Sequence, residues 1–244
     1  MSADWLEPAW PAPPTVRALV TTRNGGVSEG PWASMNLGTH VGDAPEAVRR
    51  NRAILREHLP AEPCWLEQVH GVAVADAAQA GIAPLRADAS VAHRPGAVCA
   101  VMTADCLPVL FCDRAGSVVA AAHAGWRGLA AGVLEAAVAR MQVPPVTVMA
   151  WLGPAIGPSA FEVGDEVREA FMRADARAAA AFRPGEAAGK WMADLYRLAQ
   201  LRLAVIGVDA VSGGGLCTVA DARFYSYRRD GVSGRFASLV WLAS

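Results

Sequence analysis

The sequence predicts an α+β fold, a single domain over residues 1–244 in which mixed β-sheets are flanked by helices. Three observations carry this expectation. Apolar runs of strand length crowd the first half and middle of the chain, whereas helical periodicities dominate the second half. With 244 residues, 53% of them apolar and 18% charged, the chain can bury a large core and offset its conformational entropy. No internal repeat or linker divides it, since neither the Pro-rich start nor the glycine run at 213–215 resembles a domain boundary.

Taken in order, residues 16–22 read as a strand, and Asn24-Gly25-Gly26 supplies turn chemistry. Asp43 is placed to cap a helix beginning near Pro45. Val48, Ile54, Leu55 and Leu59 form its apolar stripe, and Arg49, Arg50, Arg52 and Arg56 form its solvated face. Strand-like runs follow at 72–75, 97–103, 107–112 and 117–122. The last three are joined by very short connections and read as buried, largely antiparallel neighbours. A helix over 129–141, a strand over 146–152, helices over 165–173 and 192–206 and a closing strand over 236–242 complete the pattern.

Charge and cysteine content exclude several classes. The formal net charge is -1 and the pI near 6.5, so no global field draws the chain to nucleic acid or an anionic membrane. Its basic residues are arginines except for Lys190, a composition bias that leaves arginine abundance uninformative. Five cysteines, odd in number and scattered, with no apolar signal segment, predict a reduced, cytoplasmic protein. The apolar stretches are too short to span a bilayer.

Three residues interrupt strand-like stretches without a packing reason: His70 in Glu67-Gln68-Val69-His70-Gly71, Cys106 in Thr103-Ala104-Asp105-Cys106-Leu107-Pro108, and His123 in Ala122-His123-Ala124-Gly125-Trp126-Arg127-Gly128. Each falls at a predicted strand end, and antiparallel pairing would bring Cys106 and His123 to one rim of a sheet. Two imidazoles and a thiolate suit a zinc ion with its fourth position open. Their separations of 36 and 17 residues match no compact metal motif. The same residues also read as satisfied core histidines with a small buried cysteine, or as a metal-free Cys–His nucleophile pair.

Polar turns surround these three. The loops at 21–28, with Arg23, and at 35–43, with Asn36, carry hydroxyls, amides and a guanidinium of the kind that line sites, or that simply make turns. Gly125-Trp126-Arg127-Gly128 opens a helix after His123, where Arg127 could meet an anion. The segment 224–231 mixes aromatics with Arg228 and Arg229 and reads as a structural hairpin or a weak stacking patch. Loop 152–158 is rigid, with no assigned chemistry.

In combination and in this order, these motifs resemble the YfiH family, also called the laccase-domain or polyphenol oxidase family. Its bacterial members are named as purine nucleoside phosphorylases and peptidoglycan-editing factors. The resemblance spans nearly the whole chain, from the Arg23 loop through Asn36-Leu37-Gly38 and the three interrupting motifs to Leu152-Gly153-Pro154 and the tail at 217–235. It implies that His70, Cys106 and His123 bind zinc, and it implies the mixed-sheet fold shared with cytotoxic necrotising factor deamidases. A multicopper laccase does not follow: a blue-copper centre takes two histidines and one cysteine, leaving three of the five histidines for a multinuclear cluster. Copper binding at the same ligands in vitro is still expected.

The activity the resemblance implies is zinc-dependent phosphorolysis of adenosine, inosine, guanosine and methylthioadenosine, with adenosine deamination in the same pocket. Chemistry and motif proximity then place Arg23, Arg127 and Arg228 on phosphate or ribose, Asn36 and Gln68 as hydrogen-bond partners, and Asp105 or Glu67 in proton transfer. The alternative is a cytoplasmic zinc amidase that removes misincorporated L-serine from muramyl peptide precursors. A third reading is a non-enzymatic metal-binding protein. The expected partner is a small molecule, and the expected state is a monomer.

Overall fold

A computed structural model describes residues 4–79, 81 and 84–243. It is α+β, and its layering follows from how the strands sort their side chains. In the strand Val98–Thr103 every residue is buried, but alternate side chains enter different cores. Val98, Ala100 and Met102 face a cluster with Leu55 and Leu239, while Cys99 and Val101 face one with Leu110, Val119 and Trp151. A strand covered on both faces needs no polar alternation, which explains its continuously apolar sequence.

The four-stranded sheet runs in the spatial order Val16–Val20, Phe236–Leu242, Val98–Thr103, Pro63–Cys64. A six-stranded sheet packs on its inner face: Ala210–Gly213, Val148–Leu152, Leu107–Asp113, Val119–Ala124, Ala89–Ala92, Val74–Asp76. Helix Pro45–Arg56 covers the outside of the first sheet. Helices Val133–Met141, Asp165–Ala174 and Leu195–Val205 contribute Leu134, Val167 and Leu198 to the core on the outside of the second. The predicted mixed sheets flanked by helices are thus present.

Several expected elements are corrected. The three central strands are not one sheet. Val98–Thr103 pairs with the C-terminal strand, and the chain crosses to the other layer at Asp105, whose φ is +91°, before Leu107–Asp113 pairs with Val119–Ala124. The helix expected over 129–141 is two helices, Trp126–Ala131 and Val133–Met141, parted at Gly132 with φ +103°. Residues 190–193 form a strand in a three-stranded sheet, so the following helix starts only at Leu195, with Asp194 accepting from the Arg197 amide at its start. Asp43 does not cap the first helix, because its carboxylate accepts from Ser28 Oγ and Asn36 Nδ2. Arg52 is not solvated: it donates to the Leu37 carbonyl and lies over the Trp65 ring at 4.1 Å. Residues 227–230 are a single helical turn capped by Ser226 rather than a hairpin.

All five cysteines are free thiols. No helix of the described residues is long and apolar enough to cross a membrane.

Candidate metal centre

Strand register builds the site. Leu107–Asp113 and Val119–Ala124 are antiparallel with Pro108 opposite His123, so Cys106, one residue before the first strand, meets His123 near the end of the second. Ala89–Ala92 lies on the other side of the histidine strand with Ala89 opposite Ala122. That pairing sets Asp88 beside His123, whose backbone amide donates to the Asp88 carbonyl at 2.7 Å.

Asp88 is fully buried, and its carboxylate has four donors. Oδ1 accepts from the His70 amide (2.9 Å) and His123 Nδ1 (2.8 Å), and Oδ2 from the amides of Gly71 (2.7 Å) and Val69 (3.1 Å). Burial alone would raise the pKa of Asp88. The His123 ring and these amides outweigh it and hold the group below the usual carboxylate value. One anion thereby fixes both the His70 loop and the tautomer of His123, whose Nε2 is left to face the site. His70 itself has φ +60°, a conformation a non-glycine residue holds only when its surroundings impose it.

The His70 and His123 rings meet edge-on with centroids 4.8 Å apart, and Cys106 Sγ lies 3.8 Å from His70 Nε2. Ligand atoms of all three residues lie within 4.8 Å of one another. A tetrahedral zinc with Zn–S of about 2.3 Å and Zn–N of about 2.0 Å sets sulfur and nitrogen about 3.5 Å apart. The trio therefore fits such an ion. For Cys106 burial would raise the thiol pKa, but the two histidines outweigh it and lower it. His123 is raised, against its burial, by the Cys106 sulfur and by Asp88. Both shifts favour a thiolate beside an imidazolium in the metal-free site, so a metal would take the thiolate and displace the proton from His123 Nε2.

The glycines of Gly125-Trp126-Arg127-Gly128 have a packing reason that helix capping does not supply. A Cβ on Gly125 would stand 2.6 Å from His70 Cδ2 and 3.0 Å from Cys106 Sγ, and one on Gly128 would stand 3.0 Å from the Gly71 carbonyl.

The trio borders a cavity of about 470 Å³ whose walls include Gln68, Asp105, Trp126, Arg127, Phe161, Tyr227, Arg228 and Arg235. Of the residues singled out from the sequence, Arg127 and Arg228 line it. Gln68 also lines it, but both ends of its amide bond to the Met102 backbone, at 2.8 Å each. Asp105 reaches it with both oxygens engaged, by the Thr218 hydroxyl and the Arg228 amide, at 2.6 Å each. Arg23 and Asn36 are not among its lining residues. Arg23 donates to the Ala33 carbonyl and lies over Tyr225; Asn36 is fully buried, bonded to Gly38, Asp43 and the Arg235 amide. Glu67 is an exposed strand residue outside the lining. Sequence reasoning missed Asp88, Arg235 and His40. Only Asp88 left a usable signal, a lone charge within the apolar run Ala87-Asp88-Ala89-Ser90-Val91.

Among the described residues the other histidines join no second metal-holding group. His58 packs edge-on against Trp5 with centroids at 5.0 Å, His93 is exposed, and His40 alone shares the cavity.

Comparison with known proteins shows the family of the chain. The chain is 62% identical over 239 residues, 98% of each chain, to a Pseudomonas aeruginosa protein named purine nucleoside phosphorylase. It is 56% identical over 97% of this chain and 98% of the other to Escherichia coli YfiH, which carries the same name. The crystal structure of Neisseria meningitidis protein NMB0706 superposes with a TM-score of 0.95 at 57% identity, covering 99% of this chain and 100% of that one. YlmD from Geobacillus stearothermophilus does so at 0.90 and 29% identity, over 100% and 98%. Residues 17–243 match the family model described as multi-copper polyphenol oxidoreductase laccase, and the chain belongs to that laccase-like YfiH family.

Proposed function

We propose that this protein is a zinc-dependent purine nucleoside phosphorylase acting on adenosine, inosine, guanosine and methylthioadenosine, and that the same cavity deaminates adenosine. The observation that carries the reading is the juxtaposition of His70, Cys106 and His123 with a compact, arginine-bearing cavity of about 470 Å³. The names of relatives at 62% and 56% identity support the same activity. A compact cavity favours a nucleoside over a long muramyl peptide, which needs an open groove.

His70 Nε2, Cys106 Sγ and His123 Nε2 would hold the metal. When bound, zinc supplies a Lewis acid there, polarising an oxygen of phosphate, ribose or water and lowering a water's pKa. Asp88 keeps His123 Nδ1 protonated and its ring oriented. Arg127 and Arg228 meet the phosphate or ribose, and the faces of Phe161, Trp126 and Tyr227 suit a flat base. In phosphorolysis a phosphate oxygen bonds to C1′ of the ribose as the bond from C1′ to the purine nitrogen breaks. The purine leaves with the bonding pair and takes up one proton. In deamination water adds at the amino-bearing carbon and ammonia leaves. Asp105, with both oxygens engaged, acts as a positioning residue for the Arg228 turn, and Gln68 fixes the Met102 backbone. Asn36 supports the cavity through its bond to the Arg235 amide, and Arg23, held by the Ala33 carbonyl, has no role in it.

The test is turnover of adenosine and inosine with and without orthophosphate, on zinc-loaded protein and on Cys106→Ala, beside a muramyl-L-serine peptide. Phosphate-dependent release of free base, lost in the variant with its metal, is expected. Serine release without nucleoside turnover would replace this reading with the amidase.

A further inference from the structure

The cavity holds three guanidinium groups with no acidic partner. Outside it some arginines pair with a carboxylate, as Arg202 and Arg223 do, and others, such as Arg50 and Arg114, form no ion pair among the described residues. What sets the cavity apart is that its three share one wall. Among the described residues none of Arg127, Arg228 and Arg235 pairs with a carboxylate. Arg127 lies over the Trp126 ring at 4.4 Å, and Arg228 donates to the carbonyls of Ala160 and Glu162. The one carboxylate in the lining, Asp105, is already engaged by Thr218 and a backbone amide. Three guanidinium groups facing one lining carboxylate, Asp105, leave the wall with an excess of positive charge, which is complementary to an anion.

Arg235 differs from the other two in being half-buried and clamped. Its amide donates to Asn36 Oδ1 at 2.8 Å, and its carbonyl accepts from the Leu37 amide at 3.0 Å. Gly38 makes room for its stem, since a Cβ there would stand 2.9 Å from Arg235 Cγ. Nη1 is tied to the carbonyls of Ser233 and Gly234 at 3.0 and 2.9 Å. Nε and Nη2 form no hydrogen bond among the described residues, although the side chain lines the cavity. A desolvated guanidinium held in one geometry, with one edge bonded and the other open, is preorganised for two-point binding of a tetrahedral oxyanion.

We propose that the open edge of Arg235 is the anchor of an oxyanion subsite in this cavity, with Arg127 and Arg228 as its outer cations, and that its ligand is orthophosphate. The assignment deepens the phosphorylase reading and rests on it. It also gives Asn36-Leu37-Gly38 a purpose: these residues hold Arg235 rather than touching substrate.

The test is calorimetric titration of the zinc-loaded protein with orthophosphate and, separately, with a nucleoside 5′-monophosphate, for wild type, Arg235→Gln and Arg235→Lys. Orthophosphate affinity should fall about 10–100-fold in Arg235→Gln, with partial recovery in Arg235→Lys, which keeps the charge but not the fork. The phosphate KM should rise without a matching rise in nucleoside KM. Thermal melting and zinc content report whether each variant folds, and the lysine variant carries the test if the glutamine variant does not. Equal orthophosphate affinity in wild type and a folded variant overturns the subsite, even where phosphorolysis is confirmed. Arginine-dependent orthophosphate binding without nucleoside turnover upholds the subsite and overturns the phosphorylase reading instead. Arginine-dependent binding of the nucleotide alone overturns orthophosphate as the ligand.

Discussion

A single carboxylate, Asp88, organises the metal centre by accepting from one side chain and three backbone amides while fully buried. Its ionised form is stabilised in the folded state, so its stabilising contribution is present above the ordinary carboxylate range and is lost as pH falls through its lowered pKa. Asp88→Asn should weaken zinc binding by about 10–100-fold, read by competition with a chromophoric chelator. It should also flatten part of the acid limb of stability against pH. Unchanged affinity would mean that His123 is held by packing alone. The thiols provide a second check. Burial raises Cys64 to about 11 and Cys112 to about 12 and raises Cys99 as well, whereas the neighbouring histidines outweigh burial at Cys106 and lower it. In metal-free protein iodoacetamide should label Cys106 well ahead of those three, with a pH midpoint below the ordinary thiol range, and zinc should protect it. The ligand types were readable because His70, Cys106 and His123 stand out against apolar flanks. Asp88 was not singled out, because its role depends on a pairing between residues 35 apart.

At the scale of elements, the sheet delivers three residues to one point and the short helix after it must leave them room. Gly125-Trp126-Arg127-Gly128 was legible as a helix start, yet the reason for its glycines was not, because the neighbour they accommodate is the distant His70–Gly71 turn. Gly125→Ala should push His70 out of reach of Cys106 and lower zinc affinity at least tenfold with the fold retained. Gly132→Ala, also strained by its φ of +103° but with Arg202 and Glu135 as nearest neighbours, should cost about 1 kcal/mol of stability and leave the metal untouched. If both variants bind zinc like wild type, the contact at Gly125 relaxes without moving the imidazole. The same dependence on distant partners explains the misread helix over 192–206. Its first residues were drawn into a strand by pairing with Glu162–Gly164 and Phe182–Pro184, which local periodicity does not register.

Across the whole molecule, the two sheets share one internal core, and the C-terminal strand is the piece that closes it. Phe236–Leu242 pairs with Val16–Val20 on one side and Val98–Thr103 on the other, so a strand read from sequence as merely last is central to its sheet. Its alternation divides the load: Phe236 and Val240 enter the core between the sheets, and Leu239 enters the core beneath helix Pro45–Arg56. Its first residue, Phe236, lies opposite Thr103 and directly follows Arg235, both of which line the cavity, so the strand that closes the fold also positions part of the cavity wall. Leu239→Ala empties a fully buried position in the outer core, which contains none of the three metal ligands, and should cost about 2–5 kcal/mol, with zinc affinity unchanged in the folded fraction. Removing residues 236–243 should instead leave Val16–Val20 without its strand partner, Val98–Thr103 with only the two-residue strand Pro63–Cys64 beside it and the inner core open, abolishing cooperative melting and zinc binding together. A truncated chain that still melts cooperatively and binds zinc would show that the six-stranded sheet and its helices fold without their partner layer.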